Sequence, residues 1–241
     1  VQMKRGQFRA AIANWERATS IDPMNWNMFD NLSNAYGAVG MLPAAERAKR
    51  RAAELVSGSS IERILMEQSW GWAYYALTGS TEKINEGIAR SQGLDDSTGS
   101  LAIAVYSVAM VERDYDRAEH AIEKSTATIF ETFAGPRSTK KFLLGTVALA
   151  RGDVTKARSL FEAELPFARS ELNEAPDSAP RHAQLGLICA YLGQKEEAIA
   201  EGQRAVELLP ISKDAVDGPG IAVALAEIYG RVGEQEKAIA L

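Results

Sequence analysis

The residue types that most often carry enzyme chemistry are scarce in this sequence. Its 241 residues include two histidines, His120 and His182, and one cysteine, Cys189. A metal site needs about three or four converging ligands, and no spacing of histidine, cysteine and carboxylates suggests one. Adjacent carboxylates such as Glu196 and Glu197 point about 100° apart on a helix, so they do not form an acid–base pair. We therefore expect no catalysis, no cofactor and no bound metal.

Amide side chains with helical spacing form the sharpest candidate site. Asn27, Asn31 and Asn34 stand at positions i, i+4 and i+7, which share one face of a helix. Each amide offers both hydrogen-bond donors and an acceptor, so the three could hold the backbone of an extended peptide. The alternative is a polar helix surface that binds no ligand.

Four aromatic residues, Trp70, Trp72, Tyr74 and Tyr75, fall within six positions. On a helix they span most of the circumference, so they cannot all face one direction. Trp70 is a candidate to stack on a ligand. The alternative is that it fills a gap between helices, because tryptophan is highly buried on average.

The clearest helical pattern in the sequence lies between residues 179 and 210. The sequence there predicts two helices, which are separated by a break at Leu192 and Gly193 and stop at Pro210. Apolar and small residues follow one stripe on each helix, at Leu185, Gly186 and Cys189 and then at Ala198, Gly202 and Ala205. The small residues allow the two backbones to approach closely, and a neighbouring pair must cover the remaining apolar surface.

A turn glycine followed five residues later by alanine recurs along the whole chain. The step occurs at Gly6/Ala11, Gly40/Ala45, Gly152/Ala157, Gly193/Ala198 and Gly233/Ala238, while Gly79/Ile84 keeps only the glycine and Arg113/Ala118 only the alanine. The glycine is expected to end a first helix in a conformation that L-residues resist. The regular recurrence predicts a stacked array of helix pairs.

The best repeat resembles the tetratricopeptide repeat, whose pattern W-x2-L-G-x2-Y, Ala-x3-Phe, Pro is matched at Leu185, Gly186, Ala198, Ala205 and Pro210. The resemblance implies an all-α solenoid of stacked antiparallel helix-turn-helix repeats in a right-handed superhelix. It would form a single domain over residues 1–241. The expected units are about 1–23 (partial), 24–57, 58–97, 98–136, 137–177, 178–212 and 213–241 (partial).

In this family the first helices of the pairs line a concave groove. The resemblance therefore marks groove positions that include Asn27, Asn31, Asn34, Trp70, Ile103, Met110, Phe142, Leu149, Ala183 and Leu187. The apolar middle of such a groove suits a hydrophobic peptide or a helix. Pro166 is expected to kink a helix of about six turns that begins at Val154.

The predicted function is a protein–protein interaction scaffold that binds a peptide or helix and catalyses no reaction. A weaker resemblance, to tetratricopeptide tails of large bacterial proteins, supports a sensory or oligomerisation module of a signalling protein as the alternative. Neither end supplies a polar capping helix, so we expect a fragment of a longer chain that can self-associate through its unfinished terminal repeats.

Composition and charge narrow the partners and the compartment. A net charge of -5 argues against nucleic-acid binding, which needs a broad basic surface. The basic cluster Arg47, Lys49, Arg50 and Arg51 is interpreted as a solvated helix face. No apolar run reaches the roughly 18 residues that span a bilayer, and the first residues do not resemble a signal peptide. A cytoplasmic protein without membrane contact is expected.

Overall fold

The computed structural model describes residues 1–56, 60–130 and 138–241, and within these ranges the regular structure is almost entirely helical. The first seven helices are α1 (Phe8–Ile21), α2 (Trp26–Ala38), α3 (Leu42–Leu55), α4 (Ser60–Thr78), α5 (Glu82–Ser91), α6 (Ser100–Glu112) and α7 (Tyr115–Lys124). Strands β1 (Ile129–Phe130) and β2 (Ser138–Thr139) then pair antiparallel. The remaining helices are α8 (Lys140–Ala150), α9 (Val154–Glu174), α10 (Ala179–Tyr191), α11 (Lys195–Leu208), α12 (Gly218–Arg231) and α13 (Gln235–Ile239). The predicted all-α repeat fold is confirmed.

The chain divides into two compact units, whereas the sequence predicts one continuous solenoid. Unit 1 comprises Val1–Met3 and Gln7–Ala127, and so contains α1 to α7. Unit 2 comprises Lys4–Gly6 and Thr128–Leu241, and contains the strand pair and α8 to α13. In the described ranges, no helix combines the length and apolar character needed to cross a membrane.

The turns between paired helices confirm the expected role of the recurring glycine. Gly40, Gly79 and Gly193 have φ of 75°, 72° and 77°, in the left-handed region that glycine adopts without a steric cost. Arg113, which replaces glycine in the α6–α7 turn, has a φ of 59°. It is the one non-glycine residue with positive φ in the part of the chain that the structure describes. The position therefore imposes its backbone conformation even without glycine.

Unit 1 is held together by helices that pack in sequence order. A core cluster of Ile84, Ile88, Ala104 and Val108 joins α5 to α6, and Trp72 and Tyr75 of α4 pack against it. The rings of Trp72 and Tyr75 meet edge to face, with centroids 5.6 Å apart. These two aromatic residues therefore contribute to the core, where such pairs add stability beyond the area they bury.

Unit 2 depends on close contact between helix backbones. A Cβ added to Gly186 of α10 would lie 3.1 Å from the backbone oxygen of Ala198 and 3.1 Å from the backbone nitrogen of Gly202, both on α11. It would also lie 2.8 Å from Ile228 Cδ1 of α12. Three helices thus converge at a position where even an added methyl group would be crowded, as the small-residue stripe predicts.

The longest helix of unit 2, α9, has 21 residues and continues through Pro166. Its predicted length of about six turns is confirmed. Because proline has no N–H, the helix loses a backbone hydrogen bond at this point. The missing N–H would have bonded the carbonyl of Glu162, and the Nζ of Lys141 on α8 donates to the next carbonyl, that of Ala163, at 3.3 Å.

Candidate functional site

Asn27 and Asn31 on α2 form a hydrogen-bonded pair at the surface of unit 1. The Nδ2 of Asn31 donates to the Oδ1 and to the backbone oxygen of Asn27, both at 2.8 Å. These contacts use both N–H groups of Asn31 and fix both amides. Within the described part of the chain, Asn27 Nδ2 and Asn31 Oδ1 have no hydrogen-bond partner. The pair therefore presents two donor hydrogens beside an acceptor oxygen.

Asn34, one turn further along α2, is bound within the unit instead. Lys49 Nζ of α3 donates to Asn34 Oδ1 at 3.1 Å, and Asn34 Nδ2 donates weakly to Asp30 Oδ2 at 3.4 Å. Lys49 also forms an ion pair with Asp30. The polar groups of Asn34 thus help to satisfy a buried lysine and fasten α2 to α3.

The burial of Lys49 corrects the interpretation of the basic cluster on α3. Arg47, Arg50 and Arg51 are exposed, as expected for a solvated face, but Lys49 is only 2% exposed. It follows Ala45 by four residues, and so it lies on the buried stripe of the helix. Its helical position was therefore visible in the sequence, and its charge led to the wrong assignment.

Trp70 of α4 is already partnered inside unit 1. Its indole Nε1 donates to Glu46 Oε1 of α3 at 3.2 Å, and the guanidinium of Arg90 lies 5.7 Å from its ring centroid. Arg90 is in turn held by Glu67, with bonds of 3.1 and 2.6 Å. These contacts favour the structural interpretation of Trp70 over stacking on a ligand.

The candidate positions on α6 are half-buried. Ile103 and Met110 each keep part of their side chain at the surface of unit 1, and the Oγ of Ser107 donates to the backbone oxygen of Ile103 at 2.7 Å. Because Ser107 satisfies its hydroxyl within its own helix, the surface it shares with Ile103 and Met110 is mainly apolar.

Most of the candidate side chains in unit 2 are buried in its core. Phe142 and Leu187 are each 9% exposed, while Leu149 is half-buried. Phe142 packs against Phe161 and Tyr191, with ring centroids 6.0 and 6.3 Å away, and the latter two rings stack at 4.5 Å. Phe142 and Leu187 consequently offer little surface to a ligand.

The second histidine and the cysteine contribute to packing. His182 is 8% exposed, with Nδ1 2.5 Å from Glu201 Oε2 and Nε2 2.9 Å from the backbone oxygen of Pro176. Both ring nitrogens are therefore engaged. Burial raises the pKa of the Cys189 thiol to about 12, which keeps it protonated and unreactive. No group of three or more possible metal ligands occurs among the described residues.

Solved structures with the same helical arrangement cover almost all of this chain. A chain from the crystal structure of the APC/C hetero-tetramer Cut9–Hcn1 matches 92% of it at 14% identity, with a TM-score of 0.50. Yeast Tom70 matches 98% at 16% identity, also with a TM-score of 0.50. The chain has the tetratricopeptide-repeat fold.

One further solved structure and the lengths of the matched chains complete the comparison. The C-terminal part of a tetratricopeptide-repeat protein from Cytophaga hutchinsonii matches 99% of this chain, and 96% of its own length, at 16% identity and a TM-score of 0.49. The chain spans only 40% of the first solved chain and 48% of Tom70. No protein-family model and no curated protein matches the sequence.

Proposed function

We propose that this tetratricopeptide-like chain is a non-catalytic interaction scaffold, and that unit 1 binds an extended peptide along α2. The observation that carries the proposal is the Asn27–Asn31 pair, which combines two unused donor hydrogens with an unused acceptor oxygen. A peptide backbone presents the complementary groups, a carbonyl oxygen and an N–H.

The geometry of the pair lowers the cost of binding. The two bonds from Asn31 hold both side chains in one arrangement before any ligand arrives, so little side-chain entropy is lost on association. Asn27 Nδ2 would donate to a peptide carbonyl and Asn31 Oδ1 would accept a peptide N–H. Asn34, Asp30 and Lys49 support this arrangement by fixing α2 against α3.

Apolar contacts would come from the half-buried residues of α6. Ile103 and Met110 retain exposed surface in the same unit, and covering that surface contributes about 25 cal/mol per Å² of apolar area. A ligand with a regular backbone and one or two apolar side chains fits these groups best. In the Cut9–Hcn1 hetero-tetramer, a chain of the same fold is part of a protein assembly, which supports the scaffold role.

Peptide selection followed by matched substitutions tests the proposal. Peptides of about twelve residues, selected from a random phage-displayed library on the wild-type protein, are synthesised with a fluorophore and titrated by polarisation. Replacing both Asn27 and Asn31 with alanine removes two hydrogen bonds, each contributing about 0.5–1.5 kcal/mol, so affinity should fall about fivefold or more.

The control is Asn173→Ala, which removes an exposed asparagine from α9 in unit 2. It should leave affinity unchanged. Equal affinity of the Asn27/Asn31 double variant and the wild type, with both shown to be folded by circular dichroism, would refute the assignment of the site to α2.

A further inference from the structure

A cleft of about 470 Å³ opens in unit 1 between α6, α7 and the loop that precedes α6. It is separate from the Asn27–Asn31 pair, and its volume lies in the range of small-molecule sites. Leu101, Val105 and Ala121 form an apolar floor. One face of α7 borders this floor with Arg117, His120 and Lys124, which are spaced three and four residues apart.

The basic groups around the cleft differ in whether they already have hydrogen-bond or ion-pair partners. Arg117 donates to Glu112 Oε2 at 3.0 Å and to Asn85 Oδ1 at 2.7 Å, so its charge is compensated. In residues 1–56, 60–130 and 138–241, by contrast, His120 and Lys124 have no hydrogen-bond or ion-pair partner. Both are exposed, and they lie one turn apart on the same face of α7.

The two carboxylates that line the cleft, Asp95 and Asp96, accept hydrogen bonds from neighbouring residues of the chain. Asp96 accepts from the backbone nitrogens of Leu101 and Ala102 at 2.6 and 3.0 Å, and so caps the first turn of α6. Asp95 accepts from the backbone nitrogen and the hydroxyl of Ser97, at 3.2 and 3.0 Å. The cleft groups that have no partner among the described residues are therefore the nitrogens of His120 and Lys124 and the hydroxyl of Thr126, beside an apolar floor.

We propose that this cleft binds a small organic carboxylate with an apolar body. The carboxylate would accept hydrogen bonds from Lys124 Nζ and from the His120 ring, while the apolar body covers Leu101, Val105 and Ala121. Hydrogen bonds to charged groups contribute more than neutral ones, and the adjoining apolar surface adds the transfer free energy of each buried methylene.

Titration of the whole protein with sodium octanoate tests this proposal, with ¹H–¹⁵N chemical shifts as the readout. We expect saturable shifts in residues 95–126, with a dissociation constant below about 5 mM, the affinity of a weak small ligand. Octan-1-ol has the same apolar body without the charge and should bind at least about fivefold more weakly. Absence of saturation by octanoate, or equal binding of the alcohol, would overturn the proposal.

Two variants locate the carboxylate. Lys124→Met should weaken octanoate at least about fivefold, because it removes the charged donor. Ala121→Glu places an internal carboxylate three residues before Lys124, where it competes for the same nitrogens, and should abolish saturable binding. Lys213→Met, an exposed lysine of unit 2, is the matched control and should bind octanoate as the wild type does. Unchanged affinity in Lys124→Met would place the ligand elsewhere and contradict the assignment.

Discussion

Helices α2 in unit 1 and α10 in unit 2, each the first helix of a repeat pair, differ in how far corresponding repeat positions are exposed. On α2 of unit 1, Asn27 is exposed and Asn31 is half-exposed, and together they keep unused hydrogen-bonding groups. On α10 of unit 2, Ala183 and Leu187 are 1% and 9% exposed. A repeat pattern therefore fixes where a helix packs without deciding whether its marked positions remain available to a ligand.

The difference arises from how each unit satisfies its interior. Unit 2 closes through small residues and stacked aromatic rings, and its helix α10 is covered on most sides. Unit 1 contains the buried Lys49, which is bonded to Asp30 and Asn34 of α2, while Asn27 and Asn31 lie outside this cluster. The following predictions, from the largest expected effect to the smallest, test this contrast.

Gly186→Val should destabilise unit 2 most. The new side chain would clash with the backbone of α11, which cannot move without separating the helices, so unfolding free energy should fall by about 3 kcal/mol. Thermal melts followed by circular dichroism measure the loss. Gly230→Val on α12 is the control, because no atom lies within 4 Å of a Cβ there. Equal melting of the two variants would disprove close packing at Gly186.

Lys49→Met should lower the stability of unit 1, because it disrupts the polar cluster of Lys49, Asp30 and Asn34. The substitution leaves Asp30 and Asn34 without their cation, and because Asp30 remains partly hydrated we expect a loss of about 2 kcal/mol. Urea denaturation gives the value. Arg50→Met, on the exposed face of the same helix, should change stability by less than about 0.5 kcal/mol. A loss no greater than that of Arg50→Met would mean that the buried ion pair contributes nothing.

Glu164→Gln should, by contrast, raise the stability of unit 2 at neutral pH. Glu164 is 1% exposed, its Oε1 has no partner, and burial raises its pKa although Thr139 donates to Oε2 at 2.6 Å. The unfolded chain releases this proton at a lower pH than the folded chain does. Wild-type stability from this group is therefore complete below the ordinary glutamate pKa and falls as pH rises toward the raised folded value.

Glutamine stays neutral, so Glu164→Gln should be more stable than the wild type at pH 7, and the gain should vanish below about pH 4. Denaturation at both pH values provides the measurement. Glu174→Gln, at an exposed position at the end of α9, is the control for the same chemical change made outside the core. A gain of the same size at both pH values would exclude ionisation as its cause.

Arg113→Gly should produce the smallest effect, a gain in unit 1. The left-handed conformation costs a non-glycine residue about 1–2 kcal/mol, and the greater freedom of glycine in the unfolded chain offsets part of the relief. We expect a net gain of about 0.5 kcal/mol in a thermal melt. Arg113→Ala keeps a Cβ and should give no gain; a comparable gain with alanine would show that the arginine side chain, and not φ, is unfavourable.

Much of the helical framework was predictable from local pattern. The glycine-to-alanine step located the turns, including the one at Arg113, because left-handed backbone and close packing are local demands of each helix pair. The division of the chain after Ala127 has no comparable signal, since it depends on which helices contact one another.

The candidate site was predictable only in part. Helical spacing brought Asn27 and Asn31 together correctly, but the partners of Asn34 lie on a different helix and depend on the burial of Lys49. Phe142 resembled a surface position until its contacts with Phe161 and Tyr191 were visible, because those contacts join separate helices. Pairing between helices is tertiary information that spacing within one helix does not contain.

Hydrogen exchange with and without a peptide selected on the wild-type protein tests the central claim most directly. If the peptide binds along α2 of unit 1, it should slow amide exchange in residues 26–38, and residues 179–191 should exchange at the same rate in both states. Protection confined to residues 179–191, with none on α2, would contradict the account.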